Sequence, residues 1–185
     1  MKTKRIGILL ASVCSLMCLL FLITQCNRKT VAAQNRVTQS GQWGTLQKGT
    51  KLKITKKTFL TSLQAEKKYG NDFKQCMEQD TADYHVIVID GSVKNTGTSL
   101  QTVPLFQLYL ENSYYSNGIS QDIQPFLHDA SLEVKLKKGE TKKFQIGYII
   151  YKTQFSPDSW PNIQKDHWKL VGEHYPCKRI WNLTF

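Results

Sequence analysis

Residues 84–89, Tyr-His-Val-Ile-Val-Ile, are apolar at both parities from Val86 to Ile89. Alternate side chains of a strand point to opposite faces, so neither face of this one can meet water cheaply, and the segment predicts a strand in the middle of a covered sheet. The run breaks at Asp90-Gly91-Ser92-Val93-Lys94 and ends in Asn95-Thr96-Gly97, residues suited to a surface turn.

Other segments alternate with period two. In Lys51 to Ile54 the lysines point one way and Leu52 and Ile54 the other. Phe106, Leu108 and Leu110 form a second inward row, Leu132, Val134 and Leu136 a third, and Phe144, Ile146, Tyr148 and Ile150 a fourth. Trp181, Leu183 and Phe185 close the chain on one side of a last strand. With Tyr84–Lys94 and His167–Val171, about seven strands are expected, the number of an Ig-like sandwich. Residues 62–80 lose the alternation and predict a short helical insertion, with Ser62 as N-cap and Phe73, Cys76 and Met77 on one face. The expected fold is all-β: an Ig-like antiparallel β-sandwich over residues 50–185 with that one insertion.

Residues 1–26 are expected to be a signal anchor or signal peptide. Ile6 to Thr24 carries no charge. As a helix these residues span about 28 Å, close to the ~30 Å of bilayer hydrocarbon. Lys2, Lys4 and Arg5 favour a cytoplasmic amino terminus and an extracytoplasmic remainder. Three fates are open: a retained single-pass anchor, cleavage after Ala33 giving a secreted protein, or lipidation of Cys26. Residues 27–49, polar apart from Trp43 and a few aliphatics, are expected to be a flexible tether.

The formal net charge of the 185 residues is +11, from 25 Lys and Arg against 14 Asp and Glu; bases before residue 27 contribute only +3 of it. The exported part is therefore basic in itself. Its lysines lie scattered through strand-like segments with no nucleic-acid-binding motif, so the expected partner is an anionic envelope polymer or a protein, not nucleic acid.

The strand entering Val93-Lys94-Asn95-Thr96-Gly97, the strand after it, and Leu136-Lys137-Lys138-Gly139-Glu140 together resemble a pattern of "strand, N-T-G or N-T-S, strand, L-x-x-G-E-x-x". Small exported Ig-like β-sandwich domains of unassigned function carry it, as lipoproteins or membrane-anchored proteins of Gram-positive bacteria. The resemblance spans residues 84–150 and implies an extracytoplasmic, non-enzymatic domain. It departs at Gln25, where a lipoprotein signal has Gly, Ala or Ser before the cysteine, and it does not reach residues 160–185.

No G-x-S-x-G, P-loop, dinucleotide motif or catalytic Cys-His signature is present, and neither catalysis nor a cofactor is expected. His167, His174 and Cys177 offer donors for zinc, but their spacing fits no closed site and no metal is expected. Cys76 and Cys177 are expected to pair as a disulfide in an oxidising compartment. Candidate contact residues are Tyr114, Tyr115 and Trp160 in the loops 114–120 and 156–160, and Lys135, Lys137, Lys138, Lys142 and Lys143 around the 137–140 turn. The expected function is a membrane-anchored binding module of the cell envelope. A structural subunit of a membrane complex, making its contacts through residues 6–24, is the alternative.

Overall fold

In the computed structural model, which describes residues 14–26, 35–77, 83–172 and 178–185, the apolar run becomes a 12-residue strand, Tyr84–Asn95, at the interior of a sheet. The strands in chain order are β1 (Asn35–Thr38), β2 (Gly44–Gln47), β3 (Thr50–Thr61), β4 (Tyr84–Asn95), β5 (Gln101–Pro104), β6 (Tyr109–Glu111), β7 (Ser116–Asn117), β8 (Glu133–Leu136), β9 (Thr141–Tyr151), β10 (Trp168–Val171) and β11 (Lys178–Leu183). Three helices are described: α1 (residues 14–26), α2 (Ser62–Tyr69) and α3 (Asn71–Met77). One sheet has the order β2-β3-β4-β9, a second β1-β11-β10-β6-β7, and β5 pairs with β8. Every register given for these pairs is antiparallel.

Between the sheets lies one core. From β4 it takes Ile87, Ile89 and Val93, from β9 Phe144, Ile146, Tyr148 and Ile150, and from the opposite sheet Leu110, Trp168, Leu170, Trp181 and Leu183. The even-numbered residues of β4 face the other way. Tyr84, Val86 and Val88 pack with Ile149 against Ala65 of α2, Phe73 and Met77 of α3, and Ile123 and Leu127 of the 3-10 turn Gln121–Phe126 and its exit. The arrangement is a β-sandwich with a small helical cover on one outer face. That cover is why β4 is apolar at both parities.

Several details depart from expectation. The α2 N-cap is Thr61, whose hydroxyl accepts the Gln64 N–H while the Gln64 side chain accepts the Thr61 N–H. Phe73 and Met77 share a buried face, but Cys76 is exposed. Leu105–Gln107 forms a 3-10 turn, so Phe106 points outward and is 51% exposed. Residues 27–34 of the expected tether lie outside the described residues. Its remainder is corrected: β2 joins the first sheet, and the compact unit starts at Arg36, not at residue 50. This strand is hard to see in sequence because one inward position is Gly44, where a Cβ would strike Thr38 and Trp181, which leaves Leu46 as its single buried aliphatic.

Asn95 ends β4 and is completely buried. Its amide nitrogen donates to the Ser99 and Leu136 carbonyls at 2.8 and 3.0 Å, and its Oδ1 accepts the Gly97 N–H at 2.8 Å. The neighbouring Thr96 and Gly97 N–H groups donate to the Gly49 carbonyl. One side chain therefore ties together the 96–99 turn and the end of β8. Asn95→Ala strands these partners away from water and is expected to lower stability by about 2–3 kcal/mol. Urea unfolding of the full-length protein checks this, and a loss below about 0.5 kcal/mol contradicts the latch role.

Candidate functional site

Tyr114 and Tyr115 follow Asn112, whose Oδ1 accepts both of their N–H groups at 2.9 and 2.7 Å and fixes a tight turn. The adjacent rings part company there. Tyr114 is 87% exposed; Tyr115 is 8% exposed, stacked on Phe155 at 5.4 Å and edge-on to Trp168. Burial raises the Tyr115 hydroxyl above its ordinary pKa. Trp160 is 7% exposed and lies parallel to the His85 imidazole, centroids 4.3 Å apart. The expectation of Tyr115 and Trp160 as contact residues is thus corrected, because their large apolar bodies fill the sandwich edge. The two loops do meet: Tyr114, Gln154, Phe155, Ser156, Asp158 and Ser159 line one open hollow of about 540 Å³. Tyr114 is the aromatic it exposes most.

The lysines divide as well. Lys137 N–H donates to Glu140 Oε2 at 2.7 Å across the turn, which lowers the Glu140 carboxyl below its usual value. Lys142 Nζ donates to the Lys135 carbonyl at 3.0 Å and pairs with Glu140 Oε1 at 3.6 Å, so its charge is answered locally. Lys135, Lys137 and Lys138 are exposed on β8 and the turn. Lys143 belongs elsewhere, since it lies on the outer face of the first sheet.

Register defines that face. Lys51 stands opposite Lys94, which stands opposite Thr141; Lys53, Ser92 and Lys143 form the next row; Lys56, Asp90 and Gln145 form the third. A bulge between Ile54 and Lys56 shifts the parity of β3, bringing Lys56 onto the same face as Lys51 and Lys53 while Phe59 turns to the core. Asp90 is the one carboxylate in the three rows, and it accepts from Gln145 Nε2 at 2.5 Å. None of the five lysines has an ion-pair partner among the described residues. Like charges directly opposite, such as Lys51 and Lys94, destabilise a sheet. Each lysine can be found in the sequence by its alternation, but their shared face depends on the pairing of β3 with β4 and β9 and on the bulge.

The remaining candidates stay apart. Cys76 is an exposed thiol of α3, and its expected partner Cys177 lies outside the described residues, as does His174. His167 is exposed, and among the described residues no three His, Cys, Asp or Glu side chains gather to hold a metal. No helix among the described residues is long and apolar enough to cross a membrane. Residues 14–26 form a helix on which Leu16, Met17, Leu19, Leu20, Phe21, Leu22 and Ile23 are all exposed; the rest of the expected anchor, residues 6–13, lies outside the described residues.

The model of a family described as a domain of unknown function, DUF5028, matches residues 42–179 of the 185, and the chain belongs to that family. Among curated proteins none matches. Of solved structures, the yjhA protein of Bacillus subtilis is 12% identical with a TM-score of 0.50, the match covering 78% of this chain and 98% of that one. A "putative lipoprotein", ycdA, of the same species is 11% identical at a TM-score of 0.48 over 80% of this chain and 39% of its own. An uncharacterized beta-sandwich protein of Clostridium difficile 630 is 11% identical at 0.42, over 81% and 96%. The likeness to yjhA is one of fold.

The Trp160 stack carries a pH dependence. His85 lies between Phe59 and Trp160, its Nδ1 is buried without a hydrogen-bond partner among the described residues, and burial lowers its pKa below the ordinary 6.5, partly offset by Asp83. A histidine depressed in the folded state binds more protons when unfolded, so stability rises with pH in this window. The contribution is complete above pH 6.5 and is lost as pH falls from there towards the folded-state value. Urea midpoints measured from pH 7.5 to about 5 should fall in the wild type and fall less in His85→Phe. Parallel profiles would contradict this assignment.

Proposed function

We propose that this member of the DUF5028 family is a non-catalytic binding module of the cell envelope, with an Ig-like domain held outside the membrane by its N-terminal helix, and that it takes an anionic envelope polymer on the lysine face of the first sheet. The observation that carries the reading is the set of rows Lys51–Lys94 and Lys53–Ser92–Lys143, in which cations face one another without acids. Folding alone gives no reason to oppose Lys51 to Lys94, whereas a partner bearing repeated negative charge turns the repulsion into attraction. The exposed apolar residues on several sides of the 14–26 helix support the anchor, because a helix apolar all round is stable only in an apolar environment.

A second reading, a structural subunit of a membrane complex, rests on that same helix. Exchanging residues 6–24 for an unrelated anchor separates the two: polymer retention survives in the first and the contact with the complex fails in the second.

The binding reading predicts salt-sensitive retention of the full-length protein on an immobilised polyanion, since each lysine contact releases counterions. Reversing Lys53 and Lys143 together should weaken binding about tenfold or more at 0.1 M salt, while reversing Lys135 and Lys138 should do less. Equal, salt-insensitive elution of all forms would remove the electrostatic function.

A further inference from the structure

The helical cover ends at Leu127, and His128 and Asp129 then carry the chain onto the free edge of β9. There the Gln145 N–H donates to the Asp129 carbonyl, the His128 N–H donates to Gln145 Oε1 at 3.0 Å, and Gln145 Nε2 reaches Asp90. Asp129 holds φ at 54°, the one described non-glycine residue with positive φ. Two open hollows meet at this seam. The first, about 420 Å³, is lined by Lys56, Lys143, Asp90 and Asp129 among others; Asp90 stands on β4 between the strands of the two lysines, and Asp129 lies outside the β9 edge. The second, about 280 Å³, is lined by Lys68, Tyr69 and Phe126. His128 and Gln145 line both, so the hollows are neighbours in one trough-like stretch from the helical cover to the lysine face.

We propose that this trough holds a repeat of a polyol-phosphate or glycosyl-phosphate chain, with a phosphate at the lysine end beside Lys143, the hydroxyl-bearing unit against His128, Gln145 and the two aspartates, and the next phosphate towards Lys68. The assignment rests on the reading that the lysine face takes an anionic polymer and specifies its chemistry. Lysines alone suit any polyanion, but two carboxylates set among them repel a chain that is charged throughout. Carboxylate and carboxamide oxygens accept hydrogen bonds from hydroxyl groups, and an imidazole donates or accepts, which is the donor and acceptor set a polyol or sugar presents. The Tyr69 ring, with Lys68 Nζ 4.8 Å from its centroid, supplies an apolar surface beside the second cation. Cations at both ends of the trough favour a chain with successive phosphates over a single headgroup.

The test titrates full-length protein in detergent micelles with oligo(glycerol phosphate) and with inorganic polyphosphate of equal charge. The oligo(glycerol phosphate) should bind about tenfold tighter or better. Lys56→Gln with Lys143→Gln should weaken both probes. His128→Ala with Asp129→Asn should abolish the preference, weakening the oligo(glycerol phosphate) and leaving polyphosphate affinity no lower than in the wild type, because one repelling carboxylate is gone; both side chains are exposed, and asparagine tolerates positive φ. Equal affinity in the wild type, or a preference that survives His128→Ala with Asp129→Asn, overturns the inference while leaving the lysine face as a general polyanion site. Binding to phosphatidylglycerol vesicles without binding to the soluble oligomer overturns it in favour of a lipid surface. Failure of both soluble probes, with salt-insensitive elution, overturns the anionic reading beneath it.

Discussion

β4 is covered on both faces for only part of its length, and the rest of the molecule is arranged around that fact. From Tyr84 to Ile89 the strand has the interior of the sandwich on one side and α2, α3 and the 121–126 turn on the other. Beyond Ile89 the cover stops. Asp90, Ser92 and Lys94 then face outward, while Val93 still packs into the core. A Cβ at Gly91 would strike the Phe144 ring, so the core side remains tightly filled where the outer side opens. The break in the sequence after the apolar run marks the edge of the helical cover, and the surface on which lysines gather begins there.

The same geometry explains what could be read in the sequence. Strands β3, β4, β9 and β11 were legible because their apolar rows alternate or run continuously over many residues, a signal that local chemistry does not obscure. β2 was not, since a glycine and a leucine carry its inward side. Phe106, Leu108 and Leu110 alternate in sequence, yet a 3-10 turn over Leu105–Gln107 turns Phe106 to solvent while Leu108 and Leu110 stay buried. Tyr115 and Trp160 looked like contact residues by composition, and only tertiary packing places them against Phe155, Trp168 and His85. The lysine face is the clearest instance of the limit. Lys94 and Lys143 are far in sequence from Lys51 and Lys53 and from each other, and a one-residue change of register would scatter the set over two faces, as the absence of the bulge would do for Lys56.

Asn95 shows how scaffold and surface are coupled. Its buried amide ties the end of β4 to the neighbouring turn and to β8, so the register that sets Lys94 beside Lys51 is anchored one residue away. The turn that resembles a family motif is therefore structural, and the basic rows lie beside it on the outer face. Uniform stability would favour acids there; lysines sit there instead.

The central claim is that the Lys51–Lys94 opposition is kept for binding against the interest of the fold. Lys94→Glu tests it directly when stability and polyanion affinity are measured on the same full-length protein. The account predicts a more stable protein, by about 0.5–1 kcal/mol from the new opposite-charge pair, that binds polyanion more weakly. A variant that is less stable, or that binds as tightly as the wild type, would contradict it.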